Sequence, residues 1–220
     1  MTTPINTIIW DWNGTLLNDI NICIEGINRL LQRRGIQSLE LDQYRRIFTF
    51  PVKDYYLAAG FDLDREAFEV PALEFIHEYN GLLKEAALFS DVKSTLKYFR
   101  NQGTRQFIVS AMEQQALLRS VQAHGLSGYF EEICGIEDHL AHSKVHRGKA
   151  LISKAAIDPA KSLFIGDTLH DHEVGTQLGV EVALISRGHQ CHSRLKVNGN
   201  AVFEDLEELL AHLRGNRSIT

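Results

Sequence analysis

The sequence predicts an α/β protein in which a parallel sheet is interrupted, after its first strand, by a helical insert. Short unbroken runs of apolar or β-favouring residues at 7–10 (TIIW), 106–109, 162–165 and 180–185 read as strands buried on both faces. The segments between them carry helical spacing, which implies parallel strands joined by right-handed crossovers. Between the first two runs, residues 17–85 show helical periodicity and no convincing strand.

Taken in order, the first run stops at Asp11, followed by Trp12, Asn13 and Gly14, whose glycine lets the backbone turn beside the carboxylate. Asn18 or Asp19 is placed to cap a helix in which Ile20, Ile24, Ile27 and Leu31 recur at three- and four-residue spacing, with Gly35 past its end. Residues 41–48, 52–59 (stopped by Gly60) and about 64–85 are also expected to be helical, with Pro51 and Pro71 as interruptions. Beyond Phe89, Ser90 and Asp91 open a helix to Phe99, the strand at 106–109 ends at Ser110, and a helix over 113–123 is closed by Gly125. A short strand near Ile133, a helix over 147–156, and the strand at 162–165 ending at Gly166 and Asp167 come next. A helix toward Leu178 stopped by Gly179 and the strand at 180–185 complete the pattern.

Composition narrows the function classes. The 220 residues, 44% hydrophobic and 23% charged, suffice for one sizeable core and a smaller satellite. The net charge of −5 comes without a basic stripe or arm, which argues against nucleic acid as a partner. Cys23, Cys134 and Cys191 are scattered, with no CxxC spacing, and read as small apolar residues in a reducing compartment rather than a disulfide framework. No leader pattern or membrane-spanning apolar run is present, so no membrane partner is expected and a cytoplasmic location is. Monomer and homodimer are both compatible with these features.

Asp11, Ser110 and the pair Gly166 and Asp167 each end a predicted strand. The carboxyl ends of parallel strands lie along one edge, where open α/β sheets bind ligands, so these distant residues are expected to converge. Asp167 and Asp171 stand four apart in GDTLHD, so that on a helix their carboxylates face one point. With Asp11 they offer hard oxygen donors and no sulfur, a set suited to Mg²⁺ completed by a substrate phosphate. Ser110, with the N–H of Ala111 near a helix start, makes a phosphate seat. A lysine is wanted to hold the phosphate against the repulsion of Asp11; Lys144 and Lys149, both in the segment SKVHRGK, read as irregular where it leads into the 147–156 helix, are the candidates.

These motifs, DWNGT at 11–15, VSA at 109–111, a lysine in SKVHRGK and GDTLHD at 166–171, resemble the haloacid dehalogenase superfamily of hydrolases. Within it they resemble the phosphoglycolate phosphatase-like branch. The resemblance implies a Rossmann-like parallel-sheet core over 1–16 and 86–220, with a small α-helical cap domain over 17–85. It further implies an Mg²⁺-dependent phosphatase acting on a small phosphorylated substrate, with Asp11 as the nucleophile that forms an aspartyl-phosphate. Mg²⁺ would be held by Asp11, the main-chain carbonyl of Asn13, Asp167 and Asp171, the last directly or through water. Trp12, Ser110, Ala111 and Lys144 would surround the phosphate, with Lys144 taking the lysine role ahead of Lys149.

Asn13 departs from the family pattern, which places a second aspartate there as general acid and base. An amide positions a water or a leaving oxygen but carries no proton near neutral pH. Three readings follow: a phosphatase that is slow or selective for good leaving groups such as acyl phosphates or aryl esters; a phosphonate-cleaving relative using Lys53 as a Schiff-base lysine; or a non-catalytic phosphate-ligand sensor or partner-binding protein. The paired Asp167 and Asp171 argue against the dehalogenating branch. Of the remaining features, His139, His142 and His146 have a spacing that a zinc site would use but read more simply as solvated. His170 stands near the presumed site, Tyr55, Tyr56, Phe48 and Phe50 read as cap core, and Arg45 and Arg46 as surface charge.

Overall fold

The computed structural model describes residues 5–137, 142–197 and 199–215. Its first strand, β1 (Thr7–Trp10), is buried throughout, with Ile8 and Trp10 turned into one apolar cluster and Ile9 into a second on the opposite face. Alternation along the strand thus feeds two cores, which is why the run has no polar side. A two-residue strand, β2 (Leu17–Asn18), leads into the insert of α1 (Ile20–Arg33), α2 (Leu41–Ile47), α3 (Val52–Ala59) and α4 (Glu69–Leu82). The chain returns through β3 (Ala87–Leu88), antiparallel to β2. This ribbon corrects the expectation of a strandless 17–85 segment, since two residues are too few to show a period. Helix α4 begins at Glu69 rather than near 64, with Pro71 in its first turn, where a missing N–H leaves no bond unmade. The insert has its own core, built on Ile27, Leu30, Leu31, Tyr44, Tyr56 and Phe61.

The alternation then resumes with α5 (Val92–Asn101), β4 (Arg105–Glu113), α6 (Gln114–Ala123), β5 (Glu132–Ile136), α7 (His142–Lys154), β6 (Ser162–Gly166), α8 (Leu169–Leu178) and β7 (Glu181–Ile185). Three further elements, α9 (His192–Leu195), β8 (Ala201–Phe203) and α10 (Leu206–Arg214), extend beyond the last one that residue spacing identified. Six strands pair in parallel in the order β5-β4-β1-β6-β7-β8. Trp10 lies opposite both Ile108 and Ile165, so Asp11, Ser110 and Asp167 come to nearly one level at the carboxyl edge. Among the described residues no helix is long and apolar enough to cross a membrane.

Two local expectations are corrected. Strand β4 does not end at Ser110 but continues to Glu113 across a register shift between Val109 and Glu113, so Ser110 sits in a bulge rather than at a terminus. Helix α7 starts at His142, placing Lys144 and Lys149 on a helix and not in an irregular segment. The polar residues His142, Ser143, Lys144 and His146 hide that start; Val145 and Leu151 supply its apolar face. The helix stops by Lys154, and Ala156 takes a left-handed φ of 49°.

Candidate active site

Three buried carboxylates meet at the edge of the sheet: one oxygen each of Asp11, Asp167 and Asp171 lies within 4.8 Å of the others. Asp11 leaves β1 with its N–H still donating to the Ile165 oxygen at 2.8 Å, which fixes the carboxylate beside β6. Asp167 accepts from the Thr15 hydroxyl at 2.9 Å and from the His189 N–H at 2.6 Å. Asp171, in the first turn of α8, turns one oxygen back to the N–H groups of Asp167 and Thr168 and the Thr168 hydroxyl. Its other oxygen accepts from the Lys144 Nζ at 2.6 Å, and the same ammonium donates to Asp11 at 2.5 Å. The loops leave no room for larger residues. A Cβ on Gly14, which has a φ of +73°, would meet Asp167 at 2.3 Å, and one on Gly188 would meet it at 2.1 Å.

Lys144 is thus the lysine of the cluster, and Lys149 is exposed. Ser110 is buried; its hydroxyl accepts from the Met112 N–H at 3.1 Å and lies 3.5 Å from the Asn13 Oδ1. Ala111 lines the same cavity. The Trp12 indole faces elsewhere, buried and donating to the Ser120 hydroxyl at 3.1 Å, so any contact of Trp12 with an anion falls to its main chain. Lys53 is exposed on α3 and does not line the cavity. His139 lies outside the described residues, and His146 is exposed.

A second hub was not legible in the sequence. Asp19 stands at the N-terminus of α1 but does not cap it with its side chain. Its carboxylate instead accepts from the Gly14 N–H at 2.9 Å and from the Asn13 amide and the Tyr79 hydroxyl, both at 2.8 Å. The His189 Nε2 lies 3.3 Å from the same carboxylate, and the other ring nitrogen pairs with the Tyr44 hydroxyl at 2.8 Å. Cys23 brings its thiol to 3.6 Å from Asp19. This hub ties α1, α2 and α4 to the loop after β7. Arg45, read from sequence as surface charge, joins it by donating to the main-chain oxygens of Arg187 and Gly188. A carboxylate eight residues after Asp11 was the available signal, but an aspartate at a helix start is ordinarily a cap.

Burial shapes the protonation of both groups. Desolvation, with repulsion from Asp171 and Asp167, pushes Asp11 up to about 8 despite Lys144. Asp167 is likewise raised by burial and Asp171, to about 6. Burial also opposes charge on Asp171, but Lys144 and the Thr168 hydroxyl hold it below the usual carboxylate range. Desolvation disfavours the Lys144 ammonium, yet Asp11 and Asp171 outweigh it and raise that group. In the hub, burial works against ionisation, but the pairing lowers Asp19 and lifts His189 to about 9. Asn13 therefore holds its amide against an ionised pair.

An all-oxygen donor set with an ammonium beside it suits a hard divalent cation and a phosphate. The cluster opens into a cavity of about 1320 Å³ that reaches across to α2, α3 and α4. Comparison with known proteins identifies the family and the fold. The sequence pattern of the haloacid dehalogenase-like hydrolases matches residues 8–185. Pyrophosphatase PpaX of Bacillus pumilus (strain SAFR-032) is 25% identical over 183 residues, covering 82% of this chain and 83% of its own. The fold is shared with the haloacid dehalogenase-like family protein SP0104 of Streptococcus pneumoniae, with a TM-score of 0.79, 18% identity and coverage of 95% and 98% of the two chains. It is shared too with a "predicted phosphoglycolate phosphatase" from Haemophilus somnus 129PT, with a TM-score of 0.70, 18% identity and coverage of 97% and 100%. The chain belongs to the haloacid dehalogenase-like hydrolases.

Proposed function

We propose that the protein is an Mg²⁺-dependent phosphatase that hydrolyses a small phosphorylated metabolite through an aspartyl-phosphate on Asp11, with residues 17–85 acting as the cap over the site. The observation that supports this reading is the convergence of Asp11, Lys144, Asp167 and Asp171 on one buried point. Asp11, Asp167 and Asp171, with the Asn13 carbonyl, would hold the cation, which neutralises phosphate charge. Lys144 orients Asp11 and offers its ammonium to the incoming phosphate, while the Ser110 hydroxyl and the Ala111 N–H receive its oxygens. Attack by an Asp11 oxygen forms a P–O bond as the bond from phosphorus to the leaving oxygen breaks. Water then attacks phosphorus, releasing inorganic phosphate and restoring Asp11.

Asn13 alters the first step. Its amide N–H₂ donates to Asp19 and Tyr79, leaving its Oδ1 toward Ser110 and the site. It orients a water but donates no exchangeable acid proton, so the leaving oxygen departs as an anion and good leaving groups are favoured. The test is hydrolysis of phenyl and acetyl phosphate with and without Mg²⁺. Turnover should require the metal and fall at least about 10³-fold in Asp11→Asn, the scale lost with an essential nucleophile. Equal rates in the native and variant chains would refute the reading.

Cation binding should also depend on pH. With Asp11 at about 8 and Asp167 at about 6, protons compete with the metal across this range. Mg²⁺ affinity is expected to rise with pH between those values, with protons released on binding. Calorimetry in buffers of different ionisation enthalpy measures both, and a flat affinity without proton release would contradict the assignment.

A further inference from the structure

The part of the cavity beyond the carboxylate cluster is walled by rings. Phe48, Phe50 and Tyr55 stand edge to face at centroid distances of 5.2 and 5.7 Å, and Phe75 and Tyr79 form a tilted pair at 5.9 Å. Met112 lines the same space from the core side. Lys84 and Arg119, the lysine and arginine that line it outside the cluster, are both exposed, and the buried His189 that also lines it is already paired with Asp19. The volume of about 1320 Å³ is large against ordinary small-molecule pockets.

We infer that the leaving group is an uncharged aromatic alcohol, so that the substrate is an aryl phosphate monoester. This rests on the phosphatase reading above and chooses among the good leaving groups that Asn13 favours. An acyl group would leave most of the ring-lined space unfilled, and a second phosphate or a carboxylate would be desolvated against phenyl rings with the one buried cation there among the described residues, His189, already held by Asp19. A phenolate departs without a proton donor, which accords with the amide at Asn13, and its ring packs among Phe48 and Phe50. In the reaction the bond from phosphorus to the phenolic oxygen breaks as the Asp11 oxygen bonds to phosphorus, and the phenolate takes its proton from bulk water.

The experiment compares acetyl phosphate, phenyl phosphate, 2-naphthyl phosphate and pyrophosphate with Mg²⁺, in the native chain and in Phe50→Ala. Naphthol and phenol are close in acidity, so the two aryl esters differ chiefly in apolar area. The inference predicts that kcat/KM for the naphthyl ester exceeds that for the phenyl ester by about tenfold or more, from the extra buried ring. It also predicts that pyrophosphate is the poorest of the four. Phe50→Ala should erase the difference between the esters, and an unchanged circular dichroism spectrum and thermal midpoint report its intact fold. Acetyl phosphate turnover with equal aryl rates, or with pyrophosphate preferred, would overturn the inference and leave the phosphatase reading standing. Absence of turnover with every compound would overturn both.

Discussion

Replacing Lys144 with methionine is expected to lower stability by about 3–5 kcal/mol at pH 8, the range found when one partner of a buried ion pair is removed. The Lys144 ammonium is the nearest counter-charge to both Asp11 and Asp171, and all three side chains are buried. Methionine fills similar space, so the loss is chiefly electrostatic. Two sign checks follow. Acidification should shrink the deficit, because the orphaned carboxylates take up protons instead of remaining charged. Added Mg²⁺ should also shrink it, by supplying positive charge to the same oxygens. Urea denaturation at pH 5 and pH 8, with and without the metal, measures these effects. A deficit that is pH-independent, or below about 1 kcal/mol as for exposed pairs, would show that Lys144 is not the internal counter-charge.

Asn13→Asp should raise turnover of alkyl phosphates by about 10²–10⁴-fold, the usual contribution of a positioned acid and base, while aryl and acyl phosphates change little. The local geometry gives this substitution a second consequence. The Asn13 amide donates to Asp19 and Tyr79 at 2.8 Å, so an introduced carboxyl meets an existing carboxylate where a donor stood. Repulsion from Asp19 keeps the new group protonated to higher pH, which favours its action as an acid, and it weakens the hub between insert and core. Adding Asp19→Asn removes that repulsion but also the partner of the buried His189 cation, so it should ease ionisation of the new carboxyl without recovering stability. Kinetics on alkyl and aryl esters, with thermal unfolding of the single and double variants, separate the two effects. An unchanged alkyl rate in a folded variant would mean that residue 13 does not face the leaving oxygen.

The meeting of carboxylates at the sheet edge was legible because it follows from short-range signals. A buried strand that breaks at an acidic residue beside glycine places Asp11, and the same logic places Asp167. Their meeting is a consequence of parallel topology. Lys144 was recognisable as a type of residue the phosphate needs, but the polar run at the start of α7 concealed its helix, and only packing of that helix against β4 and β5 separates it from Lys149. Asp19 and His189 were not legible as partners. They lie 170 residues apart, and their pairing depends on how the insert settles on the loop after β7. Tyr55 and Tyr56 are buried in the insert core as read and Phe48 packs against it, but the cavity lining by Phe48 and Phe50 was not legible, for a related reason. A phenylalanine in a helical insert has the same pattern whether it packs inward, as Tyr56 does, or lines a cavity from the insert side, as Phe48 and Phe50 do.

The most direct test of the central claim is to look for the phosphoryl group on the protein. Acid quench of the native chain during turnover of phenyl phosphate with Mg²⁺, followed by mass spectrometry of its peptides, should reveal a phosphoryl adduct on the peptide carrying Asp11. That adduct should be absent without the metal and absent in Asp11→Asn. An adduct on another residue, or steady hydrolysis by Asp11→Asn at the native rate, would contradict the account.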